Sequence, residues 1–446
     1  MVKGDSSVCI RSTWAAIILS FASVLVHANG IYRNGTGAQS MSMGGTDTAW
    51  ADNPLGAMGD NPAGLGFLTA PEFDLGGVVG ITTGSFSKGT SNGNLDSSPS
   101  GLPEAALGIP LRDSPVTLGL SFIPDSIMLA DWSFVDPPGG LGGTVSYGQQ
   151  MHNSEIVVLR SALGAGVRLN PKLSLGASIG LIYNQNTLVT PYNFQNLSPS
   201  SDAIYDGAKT LLNLHTSGYG WNATAGLLYR PTTNLQFGIS YKSPTTIYST
   251  GDASGDAYAQ FGAPPGSVQF HYDADVRNVF PQEVSLGTSW KFHPQWRAAV
   301  QLDWINWANA FRTLPVGLHG GTGPAASVLG PDIQDNVPLN WSDEWVYRVG
   351  LEYYVTENLS LRVGYSYGNS PVPSSTLTPM TAAIMEHTVT AGAGYRWGRW
   401  QFDLAYQYDL PVTRNVGTSS LLAGEYSNSS TTVSVHTIAL TTRVSF

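Results

Sequence analysis

The chain has 446 residues, a formal charge of −10 and 12% charged residues, about half the usual share of roughly 25%. An acidic chain without a basic cluster argues against nucleic acid as a partner. With no apolar run of about 18 residues beyond the N-terminus, a membrane-spanning helix is excluded there. The low charge, 51 glycines and 11% aromatics instead fit a transmembrane β-barrel, in which apolar and small polar residues alternate.

Residues 1–28 read as a signal peptide: Lys3 and Arg11 supply a positive start, Trp14 to Val26 an apolar core, and Val26-His27-Ala28 a small-residue cleavage site. The core is too short to span a membrane; the rival reading is a buried N-terminal helix. Cys9, the only cysteine, lies inside this segment, away from the position a lipoprotein needs. The mature chain then carries a charge of −11, with no disulfide and no thiolate metal site. No metal and no cofactor are expected.

Residues 29–70 show no sustained alternation. Gly, Ala and Asn dominate, compatible with short helices and tight turns. Yet Met41, Met43, Trp50, Leu55, Met58, Leu65, Phe67 and Leu68 make the stretch too apolar for a solvated tail. A barrel lumen is available to bury them.

From Phe73 onward, segments of about ten residues put apolar side chains on one face and Gly, Ser, Thr or charge on the other. In "LSLGASIGLIYN", Leu173, Leu175, Ala177, Ile179, Leu181 and Tyr183 share a face, with Ile182 the exception on the other. A soluble sandwich also alternates. Two features favour the membrane: a Gly/Ser/Thr-dominated polar face, and aromatics such as Trp290, Trp345, Tyr395 and Trp397 near the ends of the apolar faces. The expected fold is all-β membrane: a 14-stranded antiparallel transmembrane β-barrel over residues 71–446, with an N-terminal hatch (plug), residues 29–70, inside the lumen. The strands fall at 73–85, 102–111, 116–124, 155–169, 172–185, 213–230, 234–246, 267–292, 295–307, 344–355, 358–368, 386–397, 400–410 and 433–446. Parity keeps 267–292 as one strand, since an odd count would put the C-terminus on the wrong side. Short turns such as 112–115 and 170–172 alternate with long loops such as 125–154, 186–212 and 308–343. That asymmetry is bacterial, with the short turns periplasmic. The final strand ends in Phe446, and a C-terminal aromatic closing an alternating strand resembles the signal read by the outer-membrane assembly machinery.

Enzyme motifs are weak. "GASIG" matches Gly-x-Ser-x-Gly, but Ser178 lies inside a strand and not on a strand-to-helix elbow. There is no His-Glu-x-x-His, no phosphate-binding loop and no metal spacing, so no enzyme is expected. An outer-membrane lipid hydrolase and a general diffusion porin are the alternatives.

The run "GTGAQSMSMGGTDTAWADNPLGAMGDNPAGLGFL", with Ala51-Asp52 and then Asn61-Pro62-Ala63-Gly64 before the first strand, resembles the N-terminal hatch of the FadL-type family of long-chain fatty-acid and aromatic-hydrocarbon transporters. "PQEVSLGTSWKFHPQWRAAVQLDWINWANAF", ending in Trp304 and Trp307, and "WVYRVGLEYYVTENLSLRVGYSYGNSPVP" resemble that family's middle and later hairpins. The resemblance spans essentially the whole mature chain.

It implies a monomeric passive transporter in the outer membrane of a Gram-negative bacterium, surrounded by lipid and lipopolysaccharide. A hydrophobic small molecule would pass from an outer-loop groove to a lumen pocket and leave sideways through a gap at a kinked third strand. In this chain Gly119, Phe122 and Pro124 lie at that strand. Pro124 cannot donate to a ladder and Gly119 weakens packing, so it is either a kink or simply the strand's end. Leu188, Tyr192, Phe194, Tyr258 and Phe261 suit an outer groove or plain loop packing. Arg160, Arg348 and Arg362 suit a ligand carboxylate, or cross-strand pairing such as Glu352 with Arg348 or Arg362.

Overall fold

A computed structural model describes residues 30–194 and 207–446; the signal peptide expected at 1–28 and part of the 186–212 loop lie outside them. Nineteen strands form one sheet. They are β1 (Glu72–Lys88), β2 (Ser91–Leu95), β3 (Ser100–Pro110), β4 (Val116–Val135), β5 (Gln149–Asn170), β6 (Leu173–Asn193) and β7 (Lys209–Thr232). Then come β8 (Leu235–Lys242), β9 (Thr245–Asp256), β10 (Gln269–Phe280), β11 (Glu283–His293), β12 (Trp296–Ile305), β13 (Thr313–Thr322) and β14 (Ile333–Pro338). The last are β15 (Glu344–Tyr354), β16 (Leu359–Gly368), β17 (His387–Trp397), β18 (Trp400–Val416) and β19 (Ser429–Ser445).

The sheet closes on itself: β1 pairs antiparallel with β19 from Glu72↔Ser445 to Ser87↔Ser430. Fourteen staves make the antiparallel barrel. The seventh is β8 continued by β9, and the eighth is β10 continued by β11. Each is broken beside a proline, Pro244 or Pro281, a residue with no N–H to give a ladder. The expected count holds, but 267–292 is interrupted. Several staves also run past their expected ends, β4 to Val135 and β6 to Asn193, so much of the expected loop sequence is strand projecting beyond the membrane. The expected 308–343 loop contains the hairpin β13–β14.

The burial alternation has the sense of a membrane barrel. Outward residues such as Leu163, Ile179, Val363 and Leu440 are exposed, as lipid-facing side chains are. Trp290, Trp345, Tyr395 and Trp397 are exposed on that same surface. Inward residues are small and polar or buried charges, such as Ser174, Thr224 and Asp303. Ile182, the exception in its strand, points inward and is buried.

Residues 30–70 are almost wholly buried and form two short helices, α1 (Gly37–Met41) and α2 (Pro54–Gly59), and a 3-10 turn, Pro62–Phe67. The two Asn-Pro pairs set the last two. The Asn53 side chain accepts from Gly56 N at 2.8 Å and that of Asn61 from Ala63 N at 3.1 Å. Each thus caps a helix whose first residue is proline, preset for that position. The segment bonds to strands all round the ring: Leu55 N to Asp74 of β1, Arg160 of β5 to Met58 O, Asn61 Nδ2 to Leu227 O of β7, Thr48 N to Gln301 of β12, Gly44 N to Thr390 of β17 and Ala38 N to Thr441 of β19. Wall glycines permit this approach. A Cβ on Gly350 would stand 2.5 Å from the Met43 carbonyl oxygen, and one on Gly287 2.9 Å from Ala49 N.

Candidate functional site

Two features stand out above the N-terminal segment: a break in the wall and an apolar chamber. The β3–β4 ladder runs from Pro110↔Thr117 to Ala105↔Phe122 and stops. Beyond it, residues 100–104 of β3 pair with β1 alone. Pairing on that side of β4 resumes only at Asp131, whose carbonyl accepts from Asp96 N at 2.7 Å, and at Leu95↔Trp132. On the other side β4 stays paired with β5, with a register shift between Pro124 and Ser126. Asp125 is the extra residue. Pro124 therefore sits at a bulge and does not end the strand. A bulge bends its strand, and the burial pattern follows: Ser126, Ile127, Met128, Leu129 and Ala130 are all buried, with no alternation. Gly119 and Phe122 precede the break. A Cβ on Gly119 would stand 2.5 Å from Met58 Sδ, so the N-terminal segment packs directly under it.

The N-terminal segment also spans the inner side of the break. Arg33 Nη1 donates to Glu104 Oε2 at 2.8 Å and to the Pro124 carbonyl at 3.2 Å. Tyr32 makes an isolated antiparallel bridge to Ser126.

The chamber, about 170 Å³, is lined chiefly by Met128, Leu188, Leu214, Phe311, Leu339 and Trp341, with Tyr192 and Phe194. Phe311 and Trp341 meet edge to face at 4.8 Å, and Tyr192 and Phe194 at 5.6 Å, arrangements aromatic rings prefer. Thus Leu188, Tyr192 and Phe194 of the expected groove line an internal chamber. Tyr258 and Phe261 do not: Tyr258 packs edge-on against Tyr147 at 5.1 Å, and Phe261 packs against the apolar cluster that contains the chamber residues Phe194, Leu212 and Leu214. Residues 311–341 and 376–381 contribute much of the lining. Sequence reasoning assigned them to loops; their signal was apolar residues out of alternation, such as Phe311, Trp341 and Met380.

Below the chamber the lumen is charged. A smaller cavity of about 70 Å³ is bordered by Arg33, Asp47, Asp60, Asp125, Lys242 and Arg348 among others. Arg348 Nε donates to Asp303, and Arg362 to Glu352 at 2.9 Å and Asp403 at 2.6 Å. Glu352 therefore pairs with Arg362 and not with Arg348. Arg160 is bonded to Asn222, Ser178, Thr224 and the Met58 carbonyl. None of the three arginines lines the chamber. Ala51, Asp52, Asn61, Pro62, Ala63 and Gly64 lie in the N-terminal segment. There Asp52 accepts from Trp50 Nε1 at 2.7 Å, and a Cβ on Gly64 would strike the Ala51 backbone.

At the long-loop end a buried ionic cluster joins the start of β7 to two loops. Lys209 Nζ donates to Asp136 Oδ1, Glu425 Oε1 and the Pro137 carbonyl, each at 2.6 Å. Asn193 also donates to Glu425. No sequence motif marks this cluster.

Fold and site define an outer-membrane barrel that handles hydrophobic compounds. A family model described as "Outer membrane protein transport protein (OMPP1/FadL/TodX)" matches residues 19–446, and the chain belongs to that family. The long-chain fatty acid transport protein of Salmonella typhi is 23% identical over 368 residues, covering 77% of this chain and 78% of its own. Among solved structures, a Pseudomonas aeruginosa FadL homologue has a TM-score of 0.73 at 16% identity, over 94% of this chain and 100% of its own. The Pseudomonas putida toluene transporter TodX has a TM-score of 0.70 at 20% identity, over 94% and 100%. These relatives are transport proteins, and the chain is a transporter and not an enzyme.

Proposed function

We propose that the chain carries a hydrophobic compound, of the kinds its relatives are named for, from the long-loop end into the apolar chamber and out sideways between β3 and β4. The observation that carries this reading is the unpaired stretch of wall on β4, whose Met128 also lines the chamber. The straight path down is blocked: residues 30–70 act as a plug, and the lumen above them is charged. An apolar ligand moving that way would pay for water contact, whereas passage to the bilayer keeps each CH₂ dry at a gain of about 0.8 kcal/mol. Residues 1–28 serve as the signal peptide, the protein acts as a monomer among lipid and lipopolysaccharide, and Phe446 presents the final strand to the assembly machinery.

Deleting Asp125 tests the route. Removing the bulge residue lets β4 continue in register with β5 and shifts the inward residues back to alternation. Uptake of a radiolabelled hydrophobic compound is expected to fall to background while the barrel stays heat-modifiable on gels. Undiminished uptake by a folded deletion variant would refute lateral exit.

A further inference from the structure

Resting on that transport reading, we propose that the chamber selects a neutral, ring-sized hydrocarbon and excludes fatty-acid anions. Its described lining includes Glu155, Asp335 and Glu425 and no Lys, Arg or His. Residues 195–206, outside the described residues, contain none of these in sequence. Lys209 and Lys88 both reach Glu425, and neither lines the chamber: the three donors of the Lys209 ammonium are taken by Asp136, Glu425 and the Pro137 carbonyl, and Lys88 Nζ donates to the main-chain carbonyl of Glu425. The three arginines suited by residue type to a carboxylate lie away from the lining and hold other partners. A carboxylate in the chamber would be desolvated with no cation to meet it and three carboxyl groups around it, an arrangement that burial of charge penalises heavily.

Size points the same way. An apolar cavity of about 150 Å³ accommodates benzene, and this chamber measures about 170 Å³. A long-chain fatty acid has roughly three times the heavy atoms of benzene and would have to extend beyond that volume. The ring edges and faces of Phe311, Trp341, Tyr192 and Phe194 supply the geometry that a planar ring packs against. The curated relatives by sequence are named for long-chain fatty acids, so the chamber departs from what their names suggest.

The test uses the full-length protein in lipid nanodiscs and fluorine NMR line broadening, corrected with empty nanodiscs. The probes are 4-fluorotoluene, 4-fluorobenzoate of matched size, and a terminally fluorinated palmitate. The neutral ring is expected to bind at least about tenfold more tightly than either anion. Leu214→Trp, which fills the chamber, should abolish that binding, and Val316→Phe serves if the first variant fails to assemble. Val337→Lys, adding a cation to the half-buried lining, should bring 4-fluorobenzoate to within about twofold of the neutral ring. Equal or tighter binding of either anion to the native protein, sensitive to the filling variants, would overturn the inference while leaving the transport reading intact. Uptake of labelled toluene by cells expressing the protein tests that reading separately. Chamber binding without uptake would defeat transport, and no chamber binding by any probe would defeat both.

Discussion

Adding three methyl groups to the inner wall should unseat residues 30–70 without unfolding the barrel. Gly176 on β6, Gly238 on β8 and Gly350 on β15 face residues 30–70 from separated parts of the ring. A Cβ at Gly350 would stand 2.5 Å from the Met43 carbonyl oxygen, and those at Gly176 and Gly238 would fall nearer still to the backbone at Ala63 and Thr48. Backbone atoms cannot rotate aside, so each alanine is an overpacking error costing about 1–3 kcal/mol. At about 2 kcal/mol each, one substitution raises the unseated population roughly 30-fold, since about 1.4 kcal/mol is tenfold. The three sites share no partner, so their effects should add to about 6 kcal/mol, the scale of a small domain's whole stability. Alanine fits a strand, so the wall itself should still form. Planar-bilayer recording should then show ion conductance in the triple variant and none in the native protein. Gly77→Ala is the control, because a Cβ there meets nothing nearer than 3.6 Å. A silent triple variant whose N-terminal segment stays protected from protease would refute the close-approach argument.

Lys209→Met leaves Asp136 and Glu425 buried without their cation, which should cost about 3–5 kcal/mol; faster hydrogen exchange across residues 420–428 checks it. The same cluster should respond to pH. Burial, reinforced by Asp136 and opposed chiefly by Lys209, pushes the Glu425 carboxyl up to about 7. The folded state thus keeps a proton that the unfolded state releases. This contribution is fully present below the ordinary glutamate range and is lost as pH rises through about 7. Protection in that loop, taken as exchange relative to the intrinsic base-catalysed rate at each pH, should therefore be lower at about pH 8 than at about pH 5, and Glu425→Gln should flatten the difference. Arg33→Met should loosen residues 30–35 by about 3–5 kcal/mol, because Glu104 loses its buried partner; hydrogen exchange of that segment reads it. Removing Phe446 should lower outer-membrane abundance on quantitative immunoblots, with unassembled chain accumulating in the periplasm.

The barrel was legible because its physics repeats every two residues. Leu175 and Ile179 must face lipid while Ser174 and Ser178 face the lumen, and no longer-range information is needed to see it. The Asn-Pro pairs announced the turns of residues 30–70 for an equally local reason: Asn53 and Asn61 each cap the turn that follows. The bulge was only half legible. Pro124 marked a site where a ladder falters, but whether the strand ended or bent depended on Asp125 and on β3 stopping short of it. The chamber was least legible. Phe311, Trp341 and Leu188 lie far apart in sequence on segments without regular alternation, and only the closure of the ring brings them together. Arg348 and Arg362 suited a ligand carboxylate by type, yet Asp303, Glu352 and Asp403 on neighbouring strands had prior claim.

The hydrogen bonds of residues 30–70 also constrain how the molecule is made. Ala38 is tied to Thr441 on the last strand, and Leu55 to Asp74 on the first. Those two strands meet only when the cylinder is completed. Residues 30–70 therefore cannot complete both bonds until β1 and β19 have paired. Newly inserted molecules should pass through a briefly leaky stage before they seal.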